Sequence, residues 1–279
     1  MSIMRCHSSS RCARHRFAAT LILCLCFAAT GAAPLCSQET PAAQANRSPL
    51  SYSVEGGLAL ASYFDDFAHS QFVTLSISRP YSYQWRFSAS LDHRFDDAGV
   101  AVGAAYTRYW SSGVFVSGGF STGTGKSIHP EYQIGIAAGK PVLADKSLIL
   151  SLSYLHTNGK GANYAHGLGL GFTWYVRGHW ILGSWGRYDL SYPGTTTSWS
   201  GGLGVTYAVW RKTYMGAGLD YGDVAYMLTP GRALVEYSAA AYNVFFAQYL
   251  TSSLGFSARL DYATIYDGGG LTLRLFKEW

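Results

Sequence analysis

The stretch that most limits what this chain can become runs from Leu148 to Val176. Leu148, Leu150, Leu152 and Tyr154 alternate with Ser151 and Ser153, and a polar loop from His156 to Asn163 follows. Leu168, Leu170, Phe172, Trp174 and Val176 then alternate with Gly167, Gly169, Gly171 and Thr173; Ile149 and Leu155 are the exceptions. A period of two is the mark of a strand, and two such strands about a polar, Gly-rich loop make an antiparallel hairpin. One face is large and apolar, the other mostly small or polar. The fold turns on what covers the apolar face.

Composition points to lipid. Aromatic residues make up 15% of the chain and charged residues only 13%, with 32 glycines, whereas a soluble domain carries about 25% charged residues. A soluble sandwich with core aromatics is the weaker reading against that deficit. After the amino-terminal leader no run of about 20 apolar residues exists, so helical spans are excluded. A closed β-barrel is the other structure that satisfies its backbone in lipid.

Residues 1–37 read as a cleaved signal peptide. Arg5, Arg11, Arg14 and Arg16 precede an uncharged apolar run from Phe17 to Ala29, and the small residues Thr30 to Ala33 follow. The run is shorter than the roughly 18 residues of a spanning helix, which disfavours an uncleaved anchor. Cys36 lies in a poor context for acylation. All five cysteines, Cys6, Cys12, Cys24, Cys26 and Cys36, lie in this leader, so its removal leaves no thiol. Four of the 21 basic residues also leave with it; the remaining 17 face 16 acidic residues, and the net charge falls from +5 to +1. A nucleic-acid partner suggested by the pI therefore fails. Residues 38–50, rich in Ala, Pro, Gln and Asn, read as a disordered periplasmic lead-in.

From 51 to 279 the alternation predicts an all-β fold: a transmembrane antiparallel up-and-down barrel of about fourteen strands. Twelve is the alternative if strand one, or the region near strand twelve, is misread. Alternation is lost at Val244-Phe245-Phe246, which suggests a bulge or register error there. Compact turns near 81, 112, 144, 178, 212 and 251 alternate with Gly/Asp/Asn/Thr-rich loops, an internal repeat of hairpins. Tyr81, Tyr83, Trp85, Trp110, Trp174, Tyr175, Trp180, Trp210, Tyr214 and Tyr249 crowd the compact side, as an interfacial girdle would. The carboxyl end, with Leu271, Leu273, Leu275 and a final Trp279, resembles the terminal strand by which outer-membrane barrels are read for insertion. Lys277 departs from that pattern, although a lysine can snorkel at an interface.

The ladder from Tyr132 to Trp279 also resembles the YaiO-type family of outer-membrane barrels. The likeness lies in Pro130 to Ala137, the Leu148–Tyr154 strand, the aromatic-basic turns and the Arg274–Trp279 end. The resemblance implies an exported barrel without an established catalytic site and an association with surface polysaccharide. The helical repeats fused to some members have no counterpart here.

On this parity Glu55, Arg86, Asp92, Arg94, Glu131, Arg187, Asp189, Asp220, Arg259, Asp261 and Arg274 face inward. A barrel this wide is not filled by small side chains, and the other inward residues are chiefly Gly, Ser, Ala and Thr. The charged residues either set solute preference in a conduit or pair across strands as struts; the mixed signs favour struts, and both roles can coexist. The loop Leu155-His156-Thr157-Asn158-Gly159 resembles the His-x-Ser-Asn arrangement of outer-membrane lipid hydrolases, but Asn158 stands where the serine is required. Thr157 falls on the opposite face from His156, so no catalytic residue is assigned. His69, His93, His129, His166 and His179 are scattered without metal-ligand spacing, and no cofactor is called for.

Asp65, Asp66, Asp96, Asp97, Asp223 and Asp267 sit in the outer loops, while Arg79, Lys140, Lys146, Arg177, Arg211 and Lys212 sit in the periplasmic turns. Asp is a good turn former, which explains the bias more simply than divalent cations shared with lipopolysaccharide. The expected partners are outer-membrane lipid and lipopolysaccharide, the barrel-insertion machinery and, by resemblance, surface polysaccharide. The leading function is a passive pore or glycan-associated barrel in the bacterial outer membrane. A sealed structural or adhesive barrel and a lipid-modifying enzyme are the alternatives.

Overall fold

The computed structural model describes residues 50–63, 66–94, 97–125, 128–161, 163–176, 179–210, 212–226, 235–264 and 268–279. The signal peptide, the lead-in up to residue 49, and Asp65, Asp96, Asp267, Arg177 and Arg211 lie outside them.

Fourteen strands close into one antiparallel barrel in which each pairs with its neighbours in sequence. They are β1 (Ser51–Tyr63), β2 (Asp66–Arg79), β3 (Tyr83–Arg94), β4 (Asp97–Tyr109), β5 (Phe115–Gly123), β6 (Tyr132–Pro141) and β7 (Leu148–Asn158). After them come β8 (Tyr164–Val176), β9 (Trp180–Tyr192), β10 (Thr196–Trp210), β11 (Thr213–Tyr226), β12 (Val235–Tyr249), β13 (Leu254–Ala263) and β14 (Gly268–Glu278). The seam between β1 and β14 runs from Ser53 opposite Glu278 to Ala61 opposite Gly270. Beyond it Tyr52 and Trp279 exchange backbone hydrogen bonds of 3.1 and 2.8 Å. An edge strand offers unpaired N–H and C=O groups, and closure removes both edges.

The period of two becomes two surfaces. Leu150, Leu152, Leu168 and Leu170 of the opening hairpin are 48–69% exposed, as are many other outward apolar residues, including Leu203, Leu260 and Leu275. Among the described residues the buried apolar side chains are only Ala68, Ile128 and Ala239. Nothing in that set amounts to a hydrophobic core, so the apolar face is the outside of the wall.

Two expectations need correction. The β12 register continues without a break through Val244, Phe245 and Phe246 against both neighbours. Alternation fails there because Phe245 is a large residue on the inner face, lying over Gly216. The register shift is instead in β10, between Ala208 and Trp210. The compact-side girdle is also incomplete: Tyr249 turns inward, where its hydroxyl donates to Glu278 at 2.9 Å and its ring meets Phe276 edge-on. Beyond Gly222, β11 and β12 stay paired as far as Tyr226 opposite Val235.

Candidate functional site

The inner wall has two unlike halves. From β9 around through β14 to β2 it is polar and aromatic. Arg187 Nε donates to Asp189 Oδ2 at 2.7 Å, two residues along the same strand. Trp185, Gly202 and Asp220 stand in one row across β9, β10 and β11, and the indole Nε1 reaches over the bare glycine to donate to Asp220 Oδ1 at 3.1 Å. Arg259 Nε donates to Asp261 Oδ1 at 2.7 Å. Across the seam Arg274 Nη1 donates to Glu55 Oε1 at 2.9 Å, and its guanidinium lies 5.3 Å from the centre of the Phe72 ring. Such charge-assisted contacts are stronger than neutral ones.

Five large inward rings share one arrangement. Phe72 stands opposite Gly57, Phe115 opposite Gly139, Trp185 opposite Gly202, Phe245 opposite Gly216 and Phe276 opposite Gly255. In every pair a Cβ added to the glycine would run into the ring. The ring therefore lies along the wall over its neighbour and does not project across the lumen. The glycines are required by this close approach.

From β4 to β8 the inner face is built mostly of small residues: Gly103 and Ala105, Ser117 to Ser121, Gly135 and Ala137, Ser151 and Ser153, Gly167 to Gly171, with Phe115, Gln133 and Leu155 among the larger ones. The outer mouth of this half holds an element with no period of two to betray it. The β5–β6 connection turns inward, burying Ile128 (1% exposed) and His129. The imidazole lies over Gly99 and Gly123, where side chains would collide with it. Its Nε2 is 3.0 Å from Asp92 Oδ2, and Ser90 Oγ donates to the same carboxylate oxygen at 2.6 Å. The approach of Nε2 lacks hydrogen-bond alignment; it is an electrostatic contact when the ring is protonated. Lys160 of the β7–β8 loop donates to the Gly125 carbonyl, tying the two outer loops together.

Of the inward residues named from the sequence, Glu55, Arg86, Asp92, Arg187, Asp189, Asp220, Arg259, Asp261 and Arg274 lie on the inner face of their strands. Three of these pairs are bridged as Arg–carboxylate contacts. The Arg94 side chain lies outside the described part of its strand. Glu131 does not line the lumen: it precedes β6, is exposed at the rim and accepts from Asn158 Nδ2 at 3.2 Å. Strand parity was carried one residue past the strand. Leu273, Leu275 and Trp279 face outward with 46%, 63% and 57% exposure, and Leu271 shares their parity, half-buried. His156 and Thr157 lie on opposite faces, and Thr157 accepts from the buried Gln133 at 3.0 Å. His129 and the ring-on-glycine pairs escaped the sequence reading; their signal was bare inward glycines at the ends of β4 and β5 and opposite inward aromatics.

The sequence model of the YaiO membrane beta barrel domain matches residues 53–227, more than half of the chain. The chain belongs to the YaiO membrane β-barrel family. The match begins in β1, upstream of the segment whose pattern resembled the family, and stops just past β11. No curated protein matches the sequence.

Among solved structures this YaiO-family barrel is similar to the Acinetobacter baumannii outer membrane protein Omp33, at 10% identity and a TM-score of 0.51, covering 82% of this chain and 99% of that one. It is also similar to a loop-deletion mutant of the Vibrio cholerae outer membrane protein OmpT, at 10% identity and TM-score 0.49, covering 83% and 99%. A third is an anion-selective porin from Comamonas acidovorans, at 10% identity and TM-score 0.47, covering 83% and 99%. The likeness to Omp33 shows the fold alone. Family and fold together place this YaiO-family barrel in the bacterial outer membrane.

Proposed function

We propose that this barrel is a passive pore of the outer membrane, narrowed at its outer mouth by the β5–β6 connection, with lipid against its leucine face. One observation carries the reading: ion pairs on the inner wall keep contact with solvent. The Arg259 and Asp261 side chains are 24% and 36% exposed, and those of Arg274 and Glu55 34% and 32%. A lumen packed by its own side chains would bury them. Barrels of about eight strands fill their interior, whereas about sixteen to eighteen leave an aqueous channel. Fourteen strands with half the wall made of Gly, Ser and Ala fall on the open side. Arg274 and Glu55 then act as a strut across the seam, and all the bridged charges form the field a solute meets.

A second reading, a conduit for glycan at the cell surface, draws on the rings laid flat over glycines, since such ring faces suit sugar rings. Neither reading includes a catalytic step. The purified barrel in a planar bilayer should give discrete conductance steps, and glycan fragments should block them if the second reading holds. A barrel silent at every voltage would overturn the pore.

A further inference from the structure

The hairpin β7–β8 brings together two histidines that the sequence holds ten positions apart. His156 stands opposite His166 in the register, both on the outward face, next to the outer loop. Their Nδ1 atoms are 3.4 Å apart, and Tyr154 Oη is 2.7 Å from the Nδ1 of His166. Two heteroatoms thus approach the Nδ1 of His166. If His166 Nδ1 accepts the tyrosine proton, its single in-plane lone pair is used. The facing His156 Nδ1 then either competes for that lone pair or turns its own lone pair toward it, which is repulsive. With the tyrosine hydroxyl turned off Nδ1, a cation between the two nitrogens takes both lone pairs and removes the repulsion.

The distance fits such a cation. An ion held by both nitrogens at about 2.1 Å subtends about 108° over their 3.4 Å separation, the tetrahedral value favoured by zinc. Both imidazoles would bind through Nδ1 with the proton on Nε2. Around them Tyr132, Tyr164 and Tyr192 form a fence: the Tyr132 and His156 ring centres are 5.7 Å apart, those of Tyr164 and His166 5.6 Å, and Tyr164 stacks on Tyr192 at 4.7 Å. These contacts restrict the imidazole rotamers before any ion arrives. The barrel holds a built-in contrast. His69 stands opposite His93 on β2 and β3, also outward, but those rings stack at 5.0 Å with only 13° between planes. Stacked rings do not aim their in-plane lone pairs at a common point.

We propose that His156 and His166 form a binding site for a borderline transition-metal ion of the zinc class on the outer rim of the barrel. Its open positions face the headgroup layer, where water or phosphate oxygens complete the coordination. The site lies on the opposite face of the wall from the lumen, so the proposal stands or falls separately from the pore.

The test uses the barrel extracted from outer membranes in detergent, with a gel-mobility difference between boiled and unboiled samples confirming that each variant is folded. Zinc titrated by calorimetry should bind at a single site, and copper at that site should show nitrogen coupling in its electron paramagnetic resonance spectrum. His156→Phe and His166→Phe should each weaken zinc by about tenfold or more, and His69→Phe should leave it unchanged. Absence of binding to the folded native barrel, or binding indifferent to both His156→Phe and His166→Phe, would overturn the proposal. So would a loss of binding in His69→Phe equal to that in His156→Phe.

Discussion

The two halves of the inner wall share one backbone and one period of two, yet solve different problems. From β9 to β2 the wall is tied from within by two Arg–carboxylate pairs along single strands, by Arg274 and Glu55 across the seam, and by four of the five rings over glycines. From β4 to β8 such contacts are fewer, Phe115 over Gly139 and Gln133 to Thr157 among them, and the small inward residues leave more space. That space is where the β5–β6 connection enters and buries Ile128 and His129. The difference teaches that a strand's lumen face is free to vary once its lipid face is satisfied. One half spends that freedom on cohesion and the other on volume.

The sharpest way to break this comparison is to add the same methyl group to each half. Gly216→Ala places a Cβ against the Phe245 ring and the Val205 carbonyl and should destabilise the barrel by about 1–3 kcal/mol in urea titrations. Gly135→Ala meets only the Leu155 methyl at 3.6 Å and the Tyr154 carbonyl at 3.9 Å, and should change stability by less than about 0.5 kcal/mol. Equal effects would erase the distinction between the halves.

The mouth of the open half gives the next largest effect. Asp92→Ala removes the carboxylate that faces the buried His129 and should loosen the connection by about 1–2 kcal/mol, read as larger or noisier single-channel currents. A conductance trace indistinguishable from the native one would show that the connection does not narrow the pore. A smaller effect belongs to the seam between β1 and β14. Arg274→Ala strands Glu55 at the seam, but both side chains are about one-third exposed, so the cost should not exceed about 1 kcal/mol. The lumen becomes more negative, and reversal potentials under a salt gradient should move toward cation preference. Glu55→Gln should move them the other way.

How much of this could be read from the sequence depended on which face a residue serves. Leu150, Leu168 and Leu275 declared strands because lipid demands large apolar groups at every second position. The lumen makes no such uniform demand, so Phe245 read as an error when it was an inward ring with a glycine waiting opposite. Glu131 was misplaced because parity has meaning only inside a strand. His129 and the pairing of His156 with His166 were invisible for a further reason. The first depends on where a connection folds, the second on a register that spacing along the chain does not encode.

The reciprocal contact between Tyr52 and Trp279 bears on how the molecule can be rewired. The two ends of the strand ladder meet on one rim and are already joined by backbone hydrogen bonds, so a short peptide could tie residue 51 to residue 279 with little disturbance. The finished wall is a cycle with no intrinsic first strand, and the starting point of the polypeptide is an accident of translation that the closed ring does not record. A circular permutant opened in the β9–β10 turn would carry the same neighbours throughout. What it would lack is a terminus ending in Trp279, so its assembly in cells would test the expectation that this end is read for insertion.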